Sequence, residues 1–142
     1  MDGLRVRQTK GKGRGVYATR EFVPGEVIER CPVLRFAARE VQPAMKTILA
    51  AYLFHWEDED QRCLPLGYGA IYNHSYTPNA RYYFQHTRGL LVVKAIKRIR
   101  PGTEVTFNYN FVPDCLDPLE VPDARTGKLL VVEPPAKRVR AR

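Results

Sequence analysis

LPLGYGAIYNHSYTPNARYYF, residues 64–84, sets a polar group inside one of the most aromatic runs of the chain: Asn73, His74, Ser75, Pro78 and Asn79. A solvated turn has no need of the flanking tyrosines. A packed strand tolerates amides and an imidazole only when each finds a hydrogen-bond partner. On these residues alone three readings stay open: a turn between strands, an N-glycosylation sequon at Asn73-His74-Ser75, or a functional site. The sequon is set aside, because the charged start MDGLRVRQTKGKGRGV is followed by no apolar segment of the signal-peptide kind.

Composition narrows the classes. A chain of 142 residues is the length of one domain, and a hydrophobic share of 44% is globular rather than disordered. No apolar run reaches the roughly 20 residues of a membrane span, so a soluble intracellular protein with no membrane partner is expected. Cys31, Cys63 and Cys115 stand more than 30 residues apart with no C-x-x-C pair. Reduced thiols are therefore expected, with no disulfide and no metal site. The net charge of +8 is uneven. Arg5, Arg7, Lys10, Lys12, Arg14 and Arg20 crowd the start, and Lys137, Arg138, Arg140 and Arg142 close the chain. Basic ends suit nucleic-acid contact or a solvated surface equally well. A dedicated nucleic-acid binder would interleave its cations along the central sheet, whereas this sequence gathers them at the ends.

Along the chain, Leu4, Val6 and Gln8 alternate with Arg5, Arg7 and Thr9, predicting a strand. GKGRG is a glycine turn and VYA a second strand. Val27-Ile28 and Val33-Leu34-Phe36 predict strands split at Pro32. Residues 37–53 carry apolar side chains at helical spacing, so one helix is expected there, starting after Pro43, with AYLFHW leaving it as a strand. Glu57 to Asp60 is expected as a surface loop. ARYYFQHTRGLLVVKAIKRI predicts a hairpin turning at Thr87-Arg88-Gly89, and Pro101-Gly102 a turn before EVTFNYNF. In the last segment only Lys128 to Glu133 suggests a strand, ahead of a basic, mobile tail. The fold class is mainly β.

Three segments then act together. GRGVYA (13–18), YNHSYTPNA (72–80) and GTEVTFNYN (102–110) resemble, in this order, the three signatures of the SET-domain protein-lysine methyltransferases. The resemblance runs from about Leu4 to Asn110. GEVIERCPVL, AYLF, LGYGAIYNHS and PNAR look most like the short stand-alone SET proteins of viruses and bacteria, and the zinc-bearing flanks of many larger relatives are missing.

The resemblance implies a β-clip fold of small sheets in which TFNYN threads a preceding loop as a pseudoknot and lies against Asn73-His74. It implies a SET domain over 1–112 and a C-terminal extension over 113–142. The activity implied is methyl transfer from S-adenosylmethionine to the ε-amino group of a lysine in a protein such as a histone tail, adding more than one methyl. Residue by residue, Lys12, Gly13 and Arg14 resemble the turn that meets the cofactor's methionine end, and Asn73 and His74 the pair at its adenine end. Tyr109 resembles the tyrosine at the transfer site. Tyr52 and Phe107, then Tyr17 and Phe111, are the expected lysine-channel aromatics, and Phe107 stands at a Phe/Tyr position tied to product number. Cys31 stands where many relatives have a channel tyrosine. Phe111 is the only aromatic left to cover the cofactor, so either the tail or a second subunit of a homodimer is expected to close the site. The compartment follows the source: cytoplasm for a bacterium, nucleus for a eukaryote or virus. The alternative is a catalytically silent SET-fold module contacting nucleic acid or chromatin through the basic ends.

Overall fold

The structure, a computed structural model, describes residues 2–11, 13–123 and 126–136, without the side chain of Glu59. Its strands are β1 (Leu4–Thr9), β2 (Gly13–Ala18), β3 (Val27–Arg35), β4 (Phe54–Trp56), β5 (Asp58–Pro65), β6 (Asn73–His74), β7 (Ala80–Gln85), β8 (Leu90–Ala95), β9 (Glu104–Phe107), β10 (Leu119–Pro122) and β11 (Leu129–Val132), with one α-helix, α1 (Ala38–Met45). They form three sheets, ordered β1-β2-β9-β6, β4-β5-β3-β8-β7 and β10-β11.

The first hairpin pairs Leu4 with Ala18 through Thr9 with Gly13, and it turns through Gly11 and Gly13 at φ +77° and +74°, where an L side chain would be strained. The hairpin of β7 and β8 pairs Ala80 with Ala95 through Gln85 with Leu90, turning through residues 86–88 and Gly89. In β8, Leu91, Val93 and Ala95 enter the core with Tyr82 and Phe107, while Val92 and Lys94 point to the opposite face of the sheet.

Three local expectations are corrected. Pro32 does not split a strand: β3 runs through it, pairing with β8 up to Pro32 and with β5 from Val33 onward. The missing N–H falls where the ladder changes partner. The helix does not begin after Pro43. It starts at Ala38, where the Glu40 carboxylate accepts from the Ala37 N–H at 2.8 Å, and it ends as Thr47 Oγ1 donates to the Ala44 carbonyl at 2.6 Å. The acidic run is not a loop but a tight turn into β5, in which Asp58 Oδ1 accepts from the N–H groups of Asp60 and Gln61.

The pairing that builds the site is non-local. Asn73 and His74 lie parallel to Thr106 and Phe107. A two-residue parallel pair is weak by itself, and Asn79 reinforces it. Its amide donates to the Glu104 carbonyl at 2.8 Å and its Oδ1 accepts from the Thr106 N–H at 3.0 Å. Beyond β9, the buried Asn108 donates to the carbonyls of Pro113 and Cys115 and folds the chain back. Tyr76 then shares its hydroxyl hydrogen between the carbonyls of Asp117 and Val132, each 2.8 Å away, which ties the hairpin of β10 and β11 beside β6. The sequence had suggested only the second of those strands. Cys31, Cys63 and Cys115 are all free thiols.

Candidate active site

A cavity of about 740 Å³ opens where β6, the first glycine turn, the segment 51–52 and the C-terminal hairpin meet. One wall is Gln8, Gly11, Gly13 and Arg14; the floor is Asn73, His74 and Tyr109. Tyr52 and Ile71 form a flank. The remaining wall is Val121, Pro122, Leu130 and Val132 of the hairpin, so the chain's own C-terminal segment supplies the cover that had been expected from the tail or a second subunit.

Asn73 Nδ2 donates to the Arg14 carbonyl at 3.0 Å and to Glu104 Oε2 at 2.9 Å. Both amide hydrogens are used to fasten β6 to the glycine turn, and Oδ1 remains as an acceptor. Glu104 also accepts from Thr9 Oγ1 at 3.2 Å, and Thr9 is bonded to the Tyr17 hydroxyl at 2.8 Å. Glu104 therefore joins β1, β6 and β9. The fit is close: a Cβ on Gly15 would lie within 3.0 Å of Glu104 Oε2, Thr9 Oγ1 and Asn73 Nδ2. Gly15→Ala is expected to break this junction and weaken binding of a ligand in the cavity by about tenfold or more, the loss of one or two charge-assisted hydrogen bonds. Calorimetric titration of the variant checks it.

His74 Nδ1 accepts from the Tyr109 N–H at 3.0 Å, which leaves its proton on Nε2. The His74 ring lies between Tyr76, at 4.3 Å, and Tyr109, at 5.2 Å. The Tyr109 hydroxyl donates to the Tyr72 carbonyl at 2.6 Å. With its hydrogen so committed, the oxygen keeps only lone pairs. Burial, with a smaller contribution from Glu104, pushes the Tyr109 phenol well above its ordinary pKa.

Tyr72 is itself fixed from behind. Its hydroxyl donates to Glu29 Oε1 at 2.7 Å, and the Tyr68 N–H donates to Glu29 Oε2 at 3.0 Å. Glu29 is only 6% exposed, so both of its oxygens depend on these donors. Burial and the neighbouring Glu29 charge hold the Cys31 thiol far above its usual range.

The structure thus brings Gly13, Arg14, Asn73, His74, Tyr52 and Tyr109 to one cavity. Lys12 lies outside the described residues. Phe107 does not line the cavity; it is fully buried beneath it, with the rings of Tyr82 at 4.7 Å, Tyr72 at 5.3 Å and Tyr109 at 5.8 Å. Tyr17 is not at the cavity either. It sits on β2 with its hydroxyl on Thr9 and the Arg7 guanidinium 4.9 Å from its ring. Phe111 does not line the cavity either; it is 42% exposed, its ring 5.4 Å from Tyr82. Sequence reasoning did not single out Glu29, Tyr72 or Glu104. A lone carboxylate in the apolar strand VIERCPVL was the available signal for Glu29.

The SET domain family model matches residues 13–110. Over 107 residues the chain is 31% identical to the Schizosaccharomyces pombe histone-lysine N-methyltransferase specific for H3 lysine-37, covering 75% of this chain and 72% of that protein. It is 32% identical over 121 residues to the Drosophila melanogaster histone-lysine N-methyltransferase Set8, covering 76% of this chain but only 18% of the fly protein. Among solved structures, a Plasmodium falciparum protein described as a candidate histone methyltransferase superposes with a TM-score of 0.62 at 27% identity, over 77% of this chain and 94% of that one. A structure concerned with the product specificity of histone lysine methyltransferases gives a TM-score of 0.60 at 25% identity, over 77% of this chain and 51% of that one. The three quoted segments, the parallel contact of β6 with β9 and these matches agree: the chain belongs to the SET-domain family of protein-lysine methyltransferases.

Proposed function

We propose that this chain methylates the ε-nitrogen of a lysine in a histone-type tail, using S-adenosylmethionine as donor, and that it adds more than one methyl. The observation that carries the reading is Tyr109, a lining residue of the cavity whose hydroxyl is fixed as a donor to the Tyr72 carbonyl and so keeps only lone pairs to offer. The cavity volume is in the range of cofactor sites, about 300–1,000 Å³. Gly11 and Gly13 line it, and a Cβ on either would meet nothing within 4 Å, so the backbone wall is open to a ligand.

In this reading Gly13 and Arg14, next to Lys12 in sequence, offer backbone to the methionine end of the cofactor, and Asn73 and His74 serve the adenine end. When bound, S-adenosylmethionine supplies a methyl made electrophilic by its sulfonium. Tyr109 would be the residue whose lone pairs hold such a methyl in line with an incoming amine. Tyr52 and Ile71 flank the amine's path and exclude water. The raised phenol pKa keeps Tyr109 protonated, so it orients without accepting the lysine proton. That proton leaves to solvent once the apolar channel and a cationic neighbour have lowered the amine's pKa. Residues 1–112 would hold this machinery and 113–142 its cover. The relatives named for histones support a histone substrate, and with it a nuclear site of action.

The test is direct. With methyl-labelled cofactor and core histones at pH 8–9, the native chain is expected to label lysine; absence of label on histones and on other basic proteins would sink the catalytic reading in favour of a silent module. Product number has its own test. Phe107→Tyr is expected to shift products toward monomethyl-lysine by mass spectrometry, because a hydroxyl forced into the packed shell of Tyr72, Tyr82 and Tyr109 pushes the Tyr109 ring toward the cavity and narrows it.

A further inference from the structure

The outer face of the five-stranded sheet carries cations that are not accounted for by the cavity. Arg81 of β7 stands directly opposite Lys94 of β8, and Arg30 of β3 is opposite Val92, one same-face position from Lys94. Leu91, Val93, Ala95, Ala80 and Tyr82 take the alternate positions into the core, so Arg30, Arg81 and Lys94 share the outward face. Like charges directly opposite on a sheet repel. Among the described residues the ion pairs are Arg20–Glu26 and Arg98–Glu21, and neither involves these three cations. Arg81 Nε is buried with no hydrogen-bond partner. A shallow depression of about 440 Å³ lies over this spot, lined by Gly25, Arg81, Tyr83, Lys94, Ala95 and Ile96.

Two cations side by side on one sheet face, in no ion pair among the described residues, make this face a place for an anion. We propose that this face binds the phosphodiester backbone of duplex nucleic acid, with Arg81 and Lys94 clasping one phosphate and Arg30 reaching a neighbouring one. A polymer fits better than a small anion for two reasons. The depression is open and cannot enclose a ligand, and the chain carries a net charge of +8 that favours a polyanion. The site lies on the sheet face turned away from Phe107 and the cavity beneath which that ring is buried, so nucleic acid held here leaves the cavity accessible. This inference does not depend on the proposed reaction.

The experiment is a salt titration of binding to a labelled 20-base-pair duplex by fluorescence anisotropy, comparing the native chain with Arg30→Gln/Arg81→Gln/Lys94→Gln and with Arg5→Gln/Lys10→Gln/Lys128→Gln, which removes the same charge elsewhere. The sheet-face variant is expected to lose affinity at least tenfold at 50 mM salt. Its slope of log K against log salt should fall by about 2–3, roughly 0.9 per phosphate contact removed. The control is expected to lose far less, and both variants should keep their methyl transfer to a short peptide. Equal losses in the two variants would assign the effect to net charge and overturn the site. An unchanged sheet-face variant would overturn it also. Displacement of the duplex by millimolar inorganic phosphate at constant ionic strength would overturn the polymer assignment in favour of a small-anion pocket.

Discussion

Tyr109→Phe is expected to bind cofactor and peptide with near-native affinity and to transfer methyl groups about 10²-fold more slowly, the size of effect seen when one positioned polar group or about 1 Å of alignment is lost. The ring remains to pack on His74 and Phe107, so the cavity keeps its shape. What disappears is the phenol oxygen and its bond to the Tyr72 carbonyl. Leaving that carbonyl without its partner costs about 1–3 kcal/mol, a melting-temperature drop of several degrees and no loss of fold. Single-turnover transfer, with a melt of the same sample, separates the two effects. Equal rates for variant and native chain would remove Tyr109 from the reaction. Because its phenol pKa is raised, the rate's rise with pH below 10 belongs to the substrate amine, and Tyr109→Phe should leave the shape of that rise unchanged.

The second large effect is alkaline instability. Burial pushes the Cys63 thiol up to about 12 and the Cys31 thiol higher still, while an unfolded thiol ionises near 8.5. A group whose folded pKa is raised contributes stability that is complete below its unfolded pKa and is lost as pH climbs toward the folded one. Between about pH 9.5 and 11 each buried thiol therefore removes about 1.4 kcal/mol per pH unit, roughly 2.7 together. Above pH 10 the buried phenols of Tyr72 and Tyr82 act in the same direction, the latter pushed up to about 12. Against a total stability of about 5–15 kcal/mol, unfolding is expected at around pH 10–11. Urea titrations at pH 7, 9 and 10 check the slope, and Cys63→Ala should flatten it by about 1.4 kcal/mol per unit. A pH-independent stability would show that the thiols ionise alike in both states. The working window for transfer is then bounded by amine ionisation on the acid side and by unfolding on the alkaline side.

Local patterns carried much of the fold. The hairpin at residues 4–18 and that at 80–95 follow from alternation and glycine turns, which act over a few residues. Pro32 and Pro43 misled for a shared reason: proline is excluded only where its missing N–H is needed. In β3 the ladder changes partner at that point, and α1 accommodates Pro43 within a helix held at its start by Glu40. The second strand of the C-terminal hairpin was legible as an apolar run, but LEVP was not. Its strand identity comes from pairing with LLVV, and its place from Tyr76.

The three quoted segments determined the family and brought Asn73, His74 and Tyr109 forward as candidates, because the order and residue types of those motifs stand in the chain itself. Only the tertiary structure decided how they meet. Parallel pairing of residues 73–74 with 106–107 is non-local, and no periodicity in either segment encodes its partner. The same holds for Glu29 behind Tyr72, for Glu104 behind Asn73 and for Arg81 opposite Lys94. Hydrogen-bond satisfaction and charge compensation are properties of neighbours in space, and folding alone assigns those neighbours.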